Sequence, residues 1–554
     1  MIVMFRSILN IGSGILSVLV YVTLFIELLF MLSMSSFKLF DDVHYFIFLL
    51  LFLDSLIRLI IRPVKSFGYK RLFLGLLSIL PILNYNGVQL PIIDINLGIQ
   101  QGILLIIAVT RVKHLSFLFE PMRSNPTQSF VGGFILVILL GAVFLMLPFS
   151  HKGSIPFIDA LFMAASAVCV TGLSVFDIGT QLTIFGQMIM LILIQIGGLG
   201  IMTFYALVTI SLNQRFLSSE SQEFQEGWST ESMKETFGII RSIFFVTFVV
   251  ELVGACLIFS AVGEHVSSIK AQLFYSLFHS VSAFCNAGFS LFSDSLVIFS
   301  NSLVCVATFS VLIFLGGIGF PVIFELYHRW IVKDRSRLKL QTKMVLYVSF
   351  TLILLGVLVL YFQSLFFDSG YVTLDMAIFH SISTRTAGFS MQDMTQYGMA
   401  SMWVLLILMF IGASPGSTGG GIKTTTFGLL VVALISTIRS REHIHVFDRH
   451  VKHQLIFKAL AIFTMAFLIG CVSFFILLIT ETIPFFPLLF ETVSAFATVG
   501  FSLGVTTDLS VVGKLVIVFL MFFGRVGPLT LAIALTRRPK PAKYKLPDEH
   551  VLLG

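Results

Sequence analysis

Four short segments of the chain share one pattern, and each lies between long apolar runs. They read Ser166-Ala-Val-Cys-Val-Thr-Gly-Leu-Ser174, Ser282-Ala-Phe-Cys-Asn-Ala-Gly-Phe-Ser290, Ser383-Thr-Arg-Thr-Ala-Gly-Phe-Ser390 and Ser494-Ala-Phe-Ala-Thr-Val-Gly-Phe-Ser502. Each opens on serine and a small residue, passes through one glycine, and closes on an apolar residue and a serine. The third copy is one residue shorter ahead of its glycine. The glycines, Gly172, Gly288, Gly388 and Gly500, are spaced by 116, 100 and 112 residues. Repeats of this length indicate duplication of a whole helical hairpin, not a solenoid of short units.

The medium around these hairpins follows from composition. The chain has 554 residues, of which 57% are hydrophobic and 11% charged, against about 25% charged in an average soluble protein. Apolar runs of helical length recur throughout, which predicts an all-α polytopic membrane protein. A β-barrel would instead show strands of about 10 residues alternating in polarity. The net charge of +7 is concentrated in loops, so membrane topology accounts for it without nucleic acid. The five cysteines, Cys169, Cys256, Cys285, Cys305 and Cys471, form no CxxC pair and read as buried free thiols. The N-terminal residues read as the lead-in to a first span, not as a removed signal peptide.

The pattern predicts an N-terminal helical bundle over 1–120, with about four spans near 13–34, 43–61, 72–84 and 98–118. The Pro- and Ser-containing linker Glu120–Pro126 follows. Four helix–re-entrant loop–helix units are expected at 127–237, 238–343, 344–454 and 455–540, with a tail over 541–554. Their first helices fall near 129–149, 239–262, 345–367 and 455–480, and their second near 182–210, 296–327, 399–438 and 510–536. Basic clusters at Arg329–Lys343, Arg439–Lys458 and Arg537–Lys545 belong in the cytoplasm by the positive-inside rule. The mostly acidic 213–236 segment lies on the same side and departs from the rule. Both termini are then cytoplasmic, and the loops open outward.

Backbone that is not helical cannot face lipid, but it can line a water-filled path. The four loops are therefore expected to hold Val170, Thr171 and Gly172; Asn286, Ala287 and Gly288; Thr386, Ala387 and Gly388; and Thr498, Val499 and Gly500 around one axis. Glycine permits the backbone angles that aim successive carbonyls the same way. Carbonyl rings of this kind replace the hydration shell of a potassium ion. No filter strand carries a carboxylate, which disfavours a divalent-selecting ring. The plainer alternative is that each Gly-Phe-Ser turn merely joins two helices.

The second helix of the third unit is interrupted by Gly412-Ala-Ser-Pro-Gly416-Ser417-Thr418-Gly419-Gly420-Gly421-Ile-Lys423. Glycines and Pro415 cannot sustain a helix there, which predicts a polar loop below the filter. A phosphate-binding P-loop fails on spacing, because Ile422 separates Gly421 from Lys423; a plain kink stays open. Arg525, in Phe-Gly-Arg-Val-Gly-Pro, is a charge inside a membrane span and is expected to face the pore and meet the loop's polar groups. Snorkelling to the cytoplasmic interface is the alternative. Arg385 is expected to point behind the filter, with Glu491 as ion-pair partner. His279 and His380, at equivalent places, read as packing or hydrogen-bonding groups of the short helices, with pH sensing as the alternative, and Glu251 as structurally paired. The N-terminal bundle has no Arg-x-x-Arg ladder, so voltage sensing is disfavoured.

These motifs, over residues 127–540, resemble the potassium-translocating membrane subunits of the Ktr/Trk/HKT superfamily, of KtrB and TrkH type. The resemblance implies a pore of four M1–P-loop–M2 repeats that takes up potassium, in some members with sodium. It implies an intramembrane gating loop at Gly416, Ser417, Thr418, Gly419, Gly420, Gly421 and Lys423, and a gating role for Arg525. Gly172, where some plant members carry serine, leans toward potassium. The resemblance further implies a homodimer in the cell membrane lipid and a separate cytosolic nucleotide-binding regulatory subunit of RCK type. No cofactor is expected in the chain itself, only the transported ion at the filter residues. Sodium coupling, sodium conduction and a secondary transporter of another substrate remain as alternatives; an enzyme is not expected, since no catalytic constellation stands out.

Overall fold

The computed structural model describes residues 126–200, 233–330, 333, 337–366, 372–441 and 443–535. The expected N-terminal bundle, most of the acidic 213–236 segment and the tail lie outside the described residues. The described residues fall in the unit Asn125–Gly554.

The order of elements repeats. The first unit has α1 (Pro126–Leu145), α2 (Phe157–Val168) and α3 (Ile184–Leu199). The second has α4 (Met233–Gly263), α5 (Ile269–Phe284), α6 (Leu303–Ile318) and α7 (Phe320–Trp330). The third has α8 (Leu340–Phe366), α9 (Leu374–Ser383), α10 (Met399–Phe410) and α11 (Thr424–Ile438). A two-residue hairpin, β1 (His445–Val446) and β2 (Arg449–His450), leads into the fourth: α12 (His453–Thr480), α13 (Phe485–Ala497), α14 (Val511–Val526) and α15 (Pro528–Leu535).

Length sorts the helices into two roles. Among the described residues, Ser242–Gly263 of α4, all of α8 and all of α12 are long and apolar enough to cross a membrane, with mean hydropathies of 2.4, 2.5 and 2.7. By contrast α2, α5, α9 and α13 have 12, 16, 10 and 13 residues. At 1.5 Å per residue they reach only about 15–24 Å, short of the roughly 30 Å hydrocarbon core. They are buried: Phe162, Phe278, Phe379 and Phe490 are fully enclosed. The long helices carry apolar residues outward instead, with Phe245 67% and Phe350 70% exposed, as a lipid-facing surface requires. Close packing between the two sets relies on small residues. A Cβ on Gly254 of α4 would stand 2.5 Å from Ser280 Oγ of α5.

The second helices differ from the sequence expectation in one respect. The run 296–327 reads as one span, but the structure divides it at Gly319 into α6 and α7, bent by 101°. Gly319 has φ +92°, a left-handed conformation that interrupts the helical ladder, and Pro321 follows it. The run 510–536 divides in the same way at Gly527, φ +91°, ahead of Pro528. The first unit's helix α3 ends at Gly200, φ +81°. In the third unit the break widens into the loop 411–423, which separates α10 from α11.

Candidate functional site: a ring of four loops closed below by a fifth

The four short helices end where the four motifs begin to turn. The motif serines explain how each turn is held. Thr171 N donates to Ser166 O at 2.8 Å, Ala287 N to Ser282 O at 2.8 Å, and Val499 N to Ser494 O at 2.9 Å. In the shorter third loop both Ala387 N, at 2.9 Å, and Gly388 N, at 3.1 Å, donate to Ser383 O. The serine hydroxyls fasten the far side. Ser166 Oγ accepts from Gly172 N at 3.1 Å and Ser494 Oγ from Gly500 N at 3.0 Å. Ser282 Oγ donates to Phe289 O at 2.8 Å, and Ser383 Oγ to Phe389 O at 2.7 Å. These serines were legible as the constant head of the motif, but their fastening role was not.

Two residues before each glycine the backbone is left-handed: Val170 and Asn286 at φ +57°, Thr386 at +76° and Thr498 at +51°. The glycines are left-handed as well, at +94°, +70°, +67° and +98° in chain order. Such strain at four equivalent non-glycine positions is a feature of functional backbone. The loops then meet in cyclic order. A Cβ on Gly172 would meet Ala287 O at 2.5 Å, and one on Gly288 would meet Ala387 O at 2.5 Å. A Cβ on Gly388 would meet Val499 O, and one on Gly500 would meet Thr171 O. First faces second, second third, third fourth, and fourth first. All twelve expected filter residues therefore lie in one closed ring of loops, which a set of independent helix-joining turns would not form.

Above the ring is a cavity of about 370 Å³ lined by the four glycines and the residues after them, with Asp177 at its wall. Its wall is tied between units: Ser293 Oγ donates to Asp177 Oδ2 at 2.6 Å, and Leu296 N donates to Ser390 O at 2.9 Å. On the exposed rim, the Thr395 amide and hydroxyl both donate to Asp393 and hold its carboxyl below the usual carboxylate range.

Below the ring lies the loop 411–423, opened and closed by a bridge between Ile411 and Ile422. It touches the second, third and fourth units directly. Thr418 N donates to Gly316 O at 3.2 Å and Ser414 N to Gly317 O at 3.0 Å, while Thr418 Oγ1 donates to Phe284 O at 3.3 Å. Gly416 O accepts from Phe320 N at 3.0 Å, beside the α6–α7 bend. Gly419 abuts Thr386. Gly420 N donates to Thr498 Oγ1 at 3.0 Å, and Gly421 N to Gly524 O at 3.3 Å. Lys423 Nζ folds back on Gly419 O at 2.7 Å; the Ser417 hydroxyl has no partner. Arg525 supplies the link to the first unit: its Nη1 donates to Thr418 O and its Nη2 to Gly197 O of α3. Arg525 thus faces the loop and does not snorkel.

Three further polar residues behave differently from one another. Arg385 does point behind the ring, against Ile313, Gly317 and Ile382, but its expected pair with Glu491 does not form. Its Nε has no partner, while Glu491 Oε1 accepts from Thr506 Oγ1 at 2.6 Å. The reason is direction: Arg385 faces the second unit's inner helix, and Glu491 faces the loop of its own unit. Glu491 is instead the fourth unit's counterpart of His279 and His380. His279 Nδ1 stands 2.7 Å from Tyr275 O, so it carries the proton there, and Nε2 accepts from Leu291 N at 3.3 Å. His380 Nε2 accepts from Met391 N at 3.4 Å. All three brace the chain after the glycine. Their shared offset, nine residues before the glycine in units two and four and eight in the shortened third, was the available signal. Glu251 is paired by hydrogen bonds, accepting from Gln195 Nε2 at 3.1 Å, not by a cation.

A bundle of long apolar helices around four buried loops that meet in a ring is a membrane transport architecture. Within that class, the sequence matches the TrkH family, described as cation transport protein, over residues 97–545. The chain is 37% identical over 442 residues to the Ktr system potassium uptake protein B of Bacillus subtilis, covering 78% of this chain and 98% of that one. It is 36% identical over 448 residues to the potassium/sodium uptake protein NtpJ of Enterococcus hirae, covering 78% and 98%. The crystal structure of the potassium transporter TrkH from Vibrio parahaemolyticus superposes with a TM-score of 0.59 at 18% identity, covering 90% of this chain and 98% of that one, and so shares the fold. The chain belongs to the TrkH/KtrB family, whose members are transport proteins and not enzymes.

Proposed function

We propose that this chain takes up potassium across the cytoplasmic membrane through the ring of four loops. The observation that carries the reading is the cyclic contact of the glycines, in which the carbonyl before each glycine abuts the glycine of the preceding loop. Paired left-handed residues in each loop aim carbonyls toward a common axis, and such oxygens replace a monovalent ion's water. Val170, Thr171, Gly172 and their counterparts are the ion-binding set. The loop 416–421 with Lys423 and Arg525 is the gate, held shut in the arrangement described. The names of the relatives in Bacillus subtilis and Enterococcus hirae support potassium, with sodium as a second ion for the latter. The Ktr system relatives also support a separate regulatory subunit, which on this reading is a cytosolic nucleotide-binding ring of RCK type docked on a homodimer in the lipid. Loop charge supports a cytoplasmic position for both termini.

The test is rubidium, potassium and sodium flux into proteoliposomes for the wild type and Gly288→Ser. The variant adds a Cβ 2.5 Å from Ala387 O, so the potassium-to-sodium ratio is expected to fall at least tenfold. Absent cation flux in the wild type, or an unaltered ratio in a folded variant, sinks the filter reading. Potassium flux that requires sodium would assign sodium coupling.

A further inference from the structure

We propose that the hairpin joining the third and fourth units carries a three-histidine site for a divalent transition-metal ion, built from His443, His445 and His450. The hairpin pairs His445 with His450 and Val446 with Arg449. Its turn, Phe447 and Asp448, has φ +47° and +64°, the pair of left-handed residues of a tight two-residue connection. One further bond, Val451 N to Ile444 O at 2.9 Å, extends the pairing to Ile444. Side chains alternate across a strand. Ile444, Val446 and Val451 therefore turn inward and are buried against Leu429, Val432 and Ile456. His443 and His445 share the opposite face, and His450 stands directly across from His445. All three histidines are exposed.

The spacing suits a metal. The ring centroids lie 6.3 Å apart for His443–His445, 5.6 Å for His443–His450 and 5.7 Å for His445–His450. Three imidazoles on one tetrahedral ion, with metal–nitrogen bonds of about 2.0–2.1 Å, place their centroids roughly 5 Å apart once the ring radius is added. In the arrangement described, no trio of His, Cys, Asp or Glu among the described residues could hold a metal ion, so the three rings must reorient before their nitrogens converge. Exposed rings turn between rotamers about χ1 and χ2, and the largest gap to close, His443–His445, is about 1.3 Å against that separation. The anchored inner face keeps the three Cα atoms in place while they do so. Imidazole selects zinc, copper, nickel or cobalt over hard cations. No carboxylate is among the three ligands, which disfavours a hard, oxygen-seeking cation such as magnesium. Three protein ligands leave a fourth position for water.

The test uses the full chain in detergent, purified with a tag free of histidine, and Co²⁺ as probe. One Co²⁺ per chain is expected to bind with the intense visible absorption of four-coordinate cobalt, and to be displaced by Zn²⁺ but not by Mg²⁺. Both His445→Ala and His450→Ala are expected to weaken binding at least tenfold, with rubidium flux as the check that each variant is folded. Binding of equal strength in the His445→Ala/His450→Ala double variant, or displacement by Mg²⁺, overturns the site. Pulsed electron paramagnetic resonance of the wild type loaded with one equivalent of Cu²⁺ needs no variant. Three coupled imidazoles are expected, and fewer than three overturn the three-ligand site.

Discussion

Serine at the head of each loop works at both ends of the turn. Its carbonyl receives the amide ahead of the glycine, and its hydroxyl reaches across to the glycine or the residue after it. Ser282 is the fullest case, since its Oγ donates to Phe289 O and also accepts from Phe289 N at 3.1 Å. Ser282→Ala leaves both backbone groups unpaired in a fully buried place, and an unsatisfied buried group costs about 1–3 kcal/mol. A fall of that size in unfolding free energy is expected in a denaturant titration of the detergent-solubilised protein; an unchanged midpoint would remove the fastening role. Glu491 allows a cleaner comparison. Glu491→Gln keeps an oxygen for the Thr506 hydroxyl, whereas Glu491→Ala orphans that hydroxyl. The alanine variant is expected to be less stable than the glutamine variant by about 1–2 kcal/mol, measured in the same titration. The sequence displayed these positions as fixed offsets from the glycines. It did not display the direction of each side chain, which is why Glu491 reads naturally, and wrongly, as the partner of Arg385.

At the scale of elements, the loop 411–423 is the place where all four units converge. Its backbone bonds reach the second and fourth units, its glycines abut the third and fourth loops, and Arg525 ties it to α3. Arg525→Ala removes the only one of these links that reaches the first unit among those described. It also removes a positive charge from beside the loop proposed as the gate. Resting rubidium flux in proteoliposomes is expected to rise several-fold. Arg525→Lys is expected to fall between, because an ammonium cannot serve two carbonyls as a guanidinium fork does. Resting flux equal to wild type in both variants, with the proteins folded, would separate Arg525 from the gate. The interruption itself was plain in the sequence, since three consecutive glycines and a proline inside an apolar run are incompatible with helix. The bend at Gly319 carries the same residue types, Gly316, Gly317, Gly319 and Pro321, yet the unbroken apolar character from Leu303 onward reads as one span, because nothing polar accompanies the glycines there.

For the whole molecule, the repeat and a common axis could be read from four similar segments, but the order of contacts around that axis could not. Residues 172, 288, 388 and 500 are brought together by packing between units, and the sequence says nothing about which carbonyl meets which glycine. The structure supplies a cyclic order, and that order makes the four positions equivalent in a way their differing neighbours conceal. A methyl group on any one glycine would press on the carbonyl of the next loop and would also occupy a left-handed backbone at a cost of about 1–2 kcal/mol. Gly172→Ala, Gly288→Ala, Gly388→Ala and Gly500→Ala are therefore each expected to cut rubidium flux at least tenfold, and to similar extents. Gly470→Ala is the matched control, since a Cβ there meets nothing within 4 Å. It sits inside helix α12, where alanine is favoured over glycine by about 1 kcal/mol, and its flux is expected to equal wild type. Loss of flux at only one or two of the ring positions would mean that the remaining loops frame the ion's path without shaping it. The pore would then have four-fold ancestry but not four-fold function.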